Sequence, residues 1–337
     1  MIDIQPENQF VEVGDVVLES GQTLRNAQLC YQQIGSPNAA HDNIVLIGGY
    51  YGGSHWGNLP LLGAGSPLAS GDWCVLLVNL LGAGRSSSPS TSPQQPGPAF
   101  PAVTIGDNIE AQRRLLDRLF GHWQLALVAG WSMAGLQAWH WAVAYPQRVR
   151  AILPFCATAR CWPHNRVFLE GVKAALQADG SYAAGHYRQP PERGLRAFGR
   201  VYAGWAYSQP FFRDGLYRQL GFATIEALLQ FWEEDHLAQD ANDLLAVLHS
   251  WQQADVARLA GGDLAAALAR VQARVISMPC TTDLYFTAAD AALEVALVAG
   301  AELRPIVSDW GHCAGGPGRN PQAMAQIFAA MAELLSG

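Results

Sequence analysis

Lysine is almost absent from this chain. Lys173 is the only one, so arginine carries nearly all of the positive charge, and the 21 basic residues are outnumbered by 28 acidic ones. Charged residues make up only 15% of the sequence, the net charge is −7, and no basic run occurs. This charge pattern excludes the electrostatic footprint of a nucleic-acid-binding protein, and we predict no nucleic-acid partner.

Long hydrophobic runs and metal-binding spacings are also missing. No stretch of 18 apolar residues exists, so we predict no membrane-spanning helix. The first ten residues, MIDIQPENQF, lack the apolar segment of a signal peptide, which predicts a cytoplasmic protein. The six cysteines form no CxxC pair and the nine histidines no HExxH motif, so we expect reduced thiols and no bound metal.

What the chain does contain is an ample supply of core residues and strand-like segments. Half of its 337 residues are hydrophobic, and the length suits one large α/β domain with an insertion. Eight segments have strand character, at residues 11–19, 26–34, 43–47, 73–80, 125–129, 150–156, 274–278 and 302–307. The first two predict an antiparallel pair at a sheet edge; the others mostly alternate with helices, which predicts a mainly parallel sheet covered on both faces.

Helical signals divide the chain into a core and an insertion. Thr104 followed by Asp107 is a capping-box pattern for a helix, and residues 321–335 form a last helix. Between residues 157 and 262 strand signals vanish and aromatic-rich helical stretches replace them. We therefore predict a core of residues 1–159 and 263–337, interrupted at residues 160–262 by a helical lid over the carboxyl edge of the sheet. Its aromatic residues are predicted to line a pocket.

The segment of residues 125–141 has the order strand, sharp turn, helix. The turn reads GWSMAG at residues 130–135 and places Ser132 at its apex. This context is that of a nucleophile elbow, where a strained backbone at the serine requires small neighbours such as Gly130 and Ala134. The alternative interpretation is a helix N-cap serine that follows a strand.

A glycine-rich loop, GGYYGGSH at residues 48–55, follows the third predicted strand directly. Glycines at this point allow backbone N–H groups to approach a ligand, although a plain flexible loop would have the same composition. In a protein with a nucleophile elbow, this loop supplies half of the oxyanion hole. We therefore predict a functional role for it.

Two further residues complete a predicted catalytic set with Ser132. Asp283 follows the seventh strand and His312 follows the eighth, in the chain order serine, acid, histidine of α/β-hydrolases. Parallel strands present their carboxyl ends on one side, so the three side chains should converge. Asp290 and Asp309 are rival acids, and the alternatives are an N-cap aspartate and a turn histidine.

Several of these motifs together resemble the homoserine O-acetyltransferase family of α/β-hydrolase-fold proteins. The resemblance rests on FPAVTIGD at residues 100–107, on GWSMAG, on AVAYPQRV at residues 142–149, and on DLYF and GH around Asp283 and His312. It implies an α/β-hydrolase fold with a mostly parallel eight-stranded sheet and acyl-serine chemistry. It also implies a homodimer made through the lid.

The same resemblance supplies expectations for individual site residues. The N–H groups of Tyr50 and Met133 would form the oxyanion hole, although GGYYG replaces the family's HALTG. Arg200 matches a substrate-binding arginine on a lid helix, and we expect Trp131 and Tyr51 to contact substrate as well. Where the transferases carry an aspartate that binds the homoserine amino group, this chain has Cys313.

The neutral Cys313 makes hydrolysis of an ester or thioester the leading prediction. The alternative is O-acyl transfer from acyl-CoA, as co-substrate, to a hydroxy amino acid or another alcohol. A third hypothesis is a non-catalytic ligand-binding protein that uses the pocket as a receptor. In each case the partner is a small acyl compound, and no bound cofactor is expected.

Overall fold

One eight-stranded sheet forms the centre of the molecule. The computed structural model describes residues 4–336. The strands follow the spatial order β1-β2-β4-β3-β5-β6-β7-β8. Their bounds are β1 Gln9–Val17, β2 Thr23–Ile34, β3 Ile44–Gly48, β4 Cys74–Val78, β5 Leu125–Trp131, β6 Ala151–Phe155, β7 Arg274–Ser277 and β8 Glu302–Leu303.

The pairing of the strands confirms the predicted fold class. β1 and β2 are antiparallel, β2 joins β4 antiparallel, and every pair from β4 to β8 is parallel. β3, β4, β5 and β6 are buried along their whole lengths, as expected of strands covered on both faces. β8 is shorter than predicted because Pro279, just after β7, has no N–H to donate toward it; the Arg304 and Ile306 N–H groups still donate to the Ser277 and Pro279 carbonyls at 2.8 Å, and Ile306 bridges to Cys280.

Ten α-helices surround the sheet. They are α1 Ile105–Phe120, α2 Met133–Ala144, α3 Pro163–Gln177, α4 Glu192–Ala206, α5 Gln209–Arg213, α6 Ile225–Leu237, α7 Ala241–Gln252, α8 Leu264–Leu268, α9 Ala288–Val295 and α10 Pro321–Leu335, within residues 4–336. The predicted capping box starts α1, with Thr104 and Asp107 bonded reciprocally. α2 is buried on all sides and packs on β5 and β6, and α10 packs on the same strands.

Between β6 and β7 the chain is helical apart from one isolated bridge, Arg160 to Asp255. That bridge closes the neck of the segment we call the helical insertion, residues 160–262. An ion pair of 2.7 Å joins the same two side chains, and Cys161 N–H donates to the Ala254 carbonyl at 2.8 Å. The two ends of the insertion are thus tied together at one point of the core.

Aromatic packing holds the helical insertion to the core. Phe168 of α3 stacks on Tyr285 of the core with ring centroids 4.8 Å apart, and Tyr202 of α4 stacks on Trp232 of α6 at 5.4 Å. Among the aromatic residues of the insertion, which the sequence predicts to line a pocket, Tyr207, Phe211 and Trp232 are buried, whereas Phe231 is 44% exposed. No helix of the described chain is long and apolar enough to cross a membrane.

Candidate active site

Ser132 lies at the apex of the tight turn between β5 and α2. Its backbone has φ 59° and ψ −125°, a region that non-glycine residues rarely occupy. The Ser132 N–H donates to the Phe155 carbonyl of β6 at 3.1 Å, which anchors the turn to the neighbouring strand. The strained serine predicted from the sequence is confirmed.

Small residues around Ser132 are required by close packing. A Cβ added at Gly130 would collide with the Cβ of Ala134, two residues beyond the serine. A Cβ added at Gly135 would collide with Ala157 and lie 3.0 Å from the Gly130 carbonyl oxygen. The turn therefore tolerates Ala134 only because Gly130 has no side chain.

Asp283 holds His312 by a hydrogen bond. His312 Nδ1 donates to Asp283 Oδ2 at 2.6 Å, and the two side chains are almost completely buried. Asp283 Oδ1 accepts the backbone N–H groups of Tyr285 at 3.1 Å and Phe286 at 3.0 Å. The carboxylate is thus fixed by its own turn on one side and orients the imidazole on the other, because the two oxygens have separate partners.

The rival acids lie elsewhere. Asp290 belongs to α9, where its Oδ2 accepts the Thr287 hydroxyl at 2.7 Å and its N–H donates to Thr287 Oγ1 at 3.1 Å. Asp309 is exposed, and its carbonyl oxygen accepts the Ser208 hydroxyl. Among the described residues, Asp283 is the carboxylate that pairs with His312.

His312 is enclosed by aromatic rings. Trp131 stacks on the imidazole at 4.9 Å, and Tyr285 and Phe286 lie 4.5 Å and 5.5 Å from it. The Trp131 indole N–H also donates to the His312 carbonyl at 3.0 Å. This packing, with Asp283 behind it, leaves His312 little rotational freedom.

Ser132 and His312 line the same cavity, of about 150 Å³. No hydrogen bond joins the two side chains within the described part of the chain, and catalytic hydrogen bonds often tighten only when substrate is bound. The cavity lies between the carboxyl edge of the sheet and α4 and α6 of the helical insertion. Its lining consists of Tyr50, Tyr51, Gly52, Gly53, Trp131, Ser132, Tyr202, Ala206, Trp232, Asp235, His236, His312, Cys313 and Arg319.

The two backbone N–H groups predicted to form the oxyanion hole are those of Tyr50 and Met133. Within residues 4–336 neither Tyr50 nor Met133 donates its N–H to a protein acceptor. The loop before Tyr50 is fixed by Gln137 of α2, whose amide donates to the Gly49 carbonyl at 2.8 Å and to the Met133 carbonyl at 3.0 Å. Gln137 therefore ties the two donor segments together, a role that sequence reasoning missed because the residue belongs to no motif.

Arg200 does not lie in this cavity, and the expectation that it contacts substrate is not supported by its position. Its guanidinium pairs with Glu226 and Glu233 on the outside of α4 and α6, and 41% of the side chain is exposed. The physical reason is the rotation of α4. Tyr202 and Ala206 face inward, and Arg200, two residues from Tyr202, lies on the opposite face.

Another arginine, Arg319, lines the cavity. It follows the short helical turn Gly311–Gly315 that carries His312, and it precedes α10. Its Nη1 lies 3.6 Å from Cys313 Sγ, and its guanidinium carbon is 5.6 Å from the centre of the Trp131 ring. Burial raises the pKa of the Cys313 thiol, so this residue is neutral at physiological pH.

The other predicted substrate contacts do border the cavity. Trp131 lies between His312 and Arg319, and Tyr51 stacks on Tyr202 at 5.8 Å while its hydroxyl donates to the Leu244 carbonyl at 3.1 Å. Tyr51 also borders a second, polar cavity of about 550 Å³. Residues 51–53 are therefore the wall between the two spaces. Among residues 4–336, no group of three or more His, Cys, Asp or Glu side chains could hold a metal ion.

A mainly parallel sheet with a serine at a strained strand–helix turn defines the class of α/β-hydrolase-fold proteins. Comparisons with known proteins agree. Residues 42–184 match the family described as alpha/beta hydrolase fold. The chain is 35% identical to an ethyl acetate hydrolase from Pseudomonas veronii, over 97% of this chain and 95% of that protein.

Two further similar proteins are a transferase and an ester hydrolase. A homoserine O-acetyltransferase from Symbiobacterium thermophilum is 31% identical, over 91% of this chain and 88% of that protein. The solved structure of an acetylester hydrolase from Corynebacterium glutamicum matches with a TM-score of 0.95 and 32% identity, over 98% of this chain and 96% of that one. The chain belongs to the alpha/beta hydrolase fold family, and it is an enzyme related to both ester hydrolases and homoserine O-acyltransferases. The family resemblance found in the sequence is confirmed.

Proposed function

We propose that this enzyme hydrolyses esters of short acyl groups through an acyl-serine intermediate. The observation that carries the proposal is the Asp283–His312 pair, at 2.6 Å, in the cavity that Ser132 also lines. A serine hydroxyl is a weak nucleophile unless a base takes its proton, and His312, oriented by Asp283, is such a base.

The reaction then proceeds in two balanced halves. His312 Nε2 takes the proton of the Ser132 hydroxyl as Oγ bonds to the ester carbonyl carbon, and the N–H groups of Tyr50 and Met133 stabilise the oxyanion. Collapse breaks the bond to the alcohol oxygen, which receives the proton from His312. Water repeats the sequence on the acyl-serine and releases the acid. One oxyanion donor contributes about 3 kcal/mol in enzymes of this kind.

The size of the cavity supports a short substrate. A volume of about 150 Å³ is below the roughly 300–1,000 Å³ of sites that hold drug-sized ligands. Aromatic rings of Trp131, Tyr202 and Trp232 form much of the wall. The relatives named as ethyl acetate hydrolase and acetylester hydrolase support the same substrate class.

A panel of p-nitrophenyl esters with increasing acyl length tests this proposal. We expect kcat/KM to be highest for the acetyl or propionyl ester and to fall as the chain outgrows the cavity. A fluorophosphonate should label the wild type and leave Ser132→Ala unlabelled. Failure to label Ser132, with no ester turned over, would favour the non-catalytic receptor hypothesis.

O-acyl transfer to a hydroxy amino acid is the second candidate, and the 31% identity to a homoserine O-acetyltransferase favours it. In that reaction acyl-CoA is the donor and an alcohol replaces water. Against it stands the neutral Cys313 thiol, which cannot pair with the ammonium group of homoserine. We therefore place hydrolysis first.

We further propose that the enzyme works in the cytoplasm on small molecules and needs neither a bound cofactor nor a nucleic-acid or membrane partner. Six free thiols support a reducing compartment. A homodimer through the helical insertion is supported by exposed apolar side chains there, namely Val201, Ile225 and Phe231. Sedimentation of the purified protein would measure the assembly directly.

A further inference from the structure

The cavity beside Ser132 contains one guanidinium group, that of Arg319. Arg319 contacts Cys313 and Trp131. Cys313 directly follows His312 in the chain, and Trp131 directly precedes Ser132. Arg319 thus touches the immediate neighbours of both residues that we propose to react with substrate. Arg319 and Ser132 line the same cavity.

Arg319 has few partners of its own. Within residues 4–336 it forms no ion pair, and the one recorded acceptor is the Cys313 sulfur, at 3.6 Å. Sulfur is a weak acceptor, and a guanidinium has five N–H donors. Arg304, by contrast, is held by both Glu302 and Glu333. Most of the Arg319 donors are therefore free to bind a ligand.

We infer that Arg319 is a specificity-determining residue that binds a carboxylate on the substrate, so that the preferred esters carry a negative charge. The inference rests on the proposed ester hydrolysis and adds the chemical class of the substrate. A guanidinium binds a carboxylate through two parallel N–H···O bonds, which fixes the orientation as well as the charge. The carboxylate can lie on the acyl or on the alcohol part of the ester.

One negative group, Asp235, lines the same cavity. Half of its side chain is exposed, and its recorded ionic contact is His236, at 3.6 Å, on its own helix α6. Burial lowers the pKa of His236, so this imidazole stays neutral near pH 7 and adds no charge. Arg319 and Asp235 are both exposed at the cavity, so water screens both charges, and Asp235 limits how strongly the cavity favours an anion.

The test compares matched charged and neutral esters in the wild type, Arg319→Met, Arg319→Lys and Asp235→Asn. Monomethyl succinate against methyl levulinate probes an acyl-side carboxylate, and O-acetylglycolate against acetoxyacetone probes an alcohol-side carboxylate. Arg118→Met, an exposed arginine on α1, is the control. Thermal unfolding followed by circular dichroism verifies that each variant is folded.

The measured quantity is the ratio of kcat/KM for the charged ester to that for its neutral partner. For at least one pair, Arg319→Met should lower this ratio by about tenfold to a hundredfold, the loss expected for a hydrogen bond to a charged group. The ratio for Arg319→Lys should lie between the ratios of the wild type and Arg319→Met, and Asp235→Asn should raise the ratio. The pair that responds identifies the side of the ester that carries the carboxylate.

Two outcomes would count against these conclusions, and they differ. If neutral esters are hydrolysed but no ratio changes in Arg319→Met or Arg319→Lys relative to Arg118→Met, the role of Arg319 is refuted and ester hydrolysis stands. If the wild type hydrolyses none of the four esters, the proposed function itself is refuted. If Arg319→Met does not fold, the kcat/KM ratios of Arg319→Lys and Asp235→Asn distinguish between the same outcomes.

Discussion

The two oxygens of Asp283 have different partners, and this separation determines what its substitution should do. Oδ1 accepts two backbone N–H groups, and Oδ2 accepts the imidazole N–H of His312. In Asp283→Asn the amide oxygen can still accept the backbone N–H groups, so the turn persists. The amide nitrogen then faces His312 and favours the wrong imidazole tautomer.

We therefore expect Asp283→Asn to lower kcat by up to about 10⁴, the loss recorded for the same change in chymotrypsin-type enzymes, with little change in thermal stability. Ser132→Ala should abolish the burst of acyl-enzyme formation in stopped-flow measurements. Asp309→Asn is the matched control, since Asp309 is exposed and does not contact His312. A loss for Asp309→Asn as large as that for Asp283→Asn would contradict this assignment.

At the level of helices and strands, one buried carboxyl group, that of Glu294, stabilises the junction between β6 and the helical insertion. Glu294 of α9 accepts the Ala159 N–H at 2.6 Å and the Trp162 indole N–H at 2.8 Å. Burial raises the pKa of Glu294 to about 8 from a usual value of 4.5, and the two hydrogen bonds offset only part of this effect. The folded protein therefore holds a proton on Glu294 that the unfolded chain releases.

This difference sets the sign of a pH effect. Between pH 4.5 and about 8 the folded state binds the extra proton, so the contribution of Glu294 to stability is greatest below pH 4.5 and is lost as the pH rises to about 8. Glu294→Gln cannot ionise and should remove this dependence. Melting temperatures measured from pH 5 to 8 should fall less steeply in the variant than in the wild type; parallel curves would argue against the assignment.

Two glycines in helices should respond to the same substitution in opposite ways. Gly135 of α2 has no room for a Cβ, whereas Gly171 of α3 is exposed with nothing within 4 Å of an added Cβ. Gly135→Ala should destabilise the protein by about 1–3 kcal/mol through overpacking and slow fluorophosphonate labelling. Gly171→Ala should stabilise it by up to about 1 kcal/mol through helix propensity. Urea titrations of both variants give the two values; equal effects would mean that packing at the elbow is not limiting.

Helices and strands could be predicted from the sequence where their signal lies within a short stretch of residues. Alternating patterns predicted β1 and β2, strand-like segments predicted the other six strands, and the pair Thr104 and Asp107 predicted the start of α1. The position of Arg200 outside the cavity could not be predicted from the motif. The rotation of α4 is set by the tertiary packing of its aromatic face, and a short sequence motif carries no information about that packing. The interruption of the pairing between β7 and β8 could have been foreseen, because Pro279 lacks the N–H of a ladder.

For the whole molecule, the sequence predicted where the site lies but not its interior. The convergence of Ser132, Asp283 and His312 could be predicted because each follows a strand whose carboxyl end meets the others at one edge. Arg319 lies in a glycine-rich loop without periodicity, and only the folding of that loop over Trp131 brings it to the cavity. The small volume likewise depends on how the helical insertion packs on the core.

The choice between water and an alcohol acceptor is a property of the whole cavity. With acetyl-CoA or succinyl-CoA and homoserine, we expect free acid to form faster than O-acyl-homoserine. An ammonium group beside the neutral Cys313 would face the cationic Arg319, and the one carboxylate of the cavity lining, Asp235, is half exposed and screened by water, so the ammonium binds unfavourably. Mass spectrometry of both products measures the partition. Saturable O-acyl-homoserine formation that outpaces hydrolysis would make acyl transfer the function.

The two edge strands of the sheet determine whether copies of this protein can pair edge to edge in concentrated solution. β1 carries register shifts on both sides of Gly14, with the exposed charges Glu12 and Asp15 beside them, and at the other border β8 spans two residues. Growth of a β-aggregate needs a long, straight strand with unpaired backbone groups, and neither border supplies one. Because this protection comes from the shape of the borders as well as from charge, resistance to fibrillar aggregation should persist at salt concentrations that screen the net charge of −7.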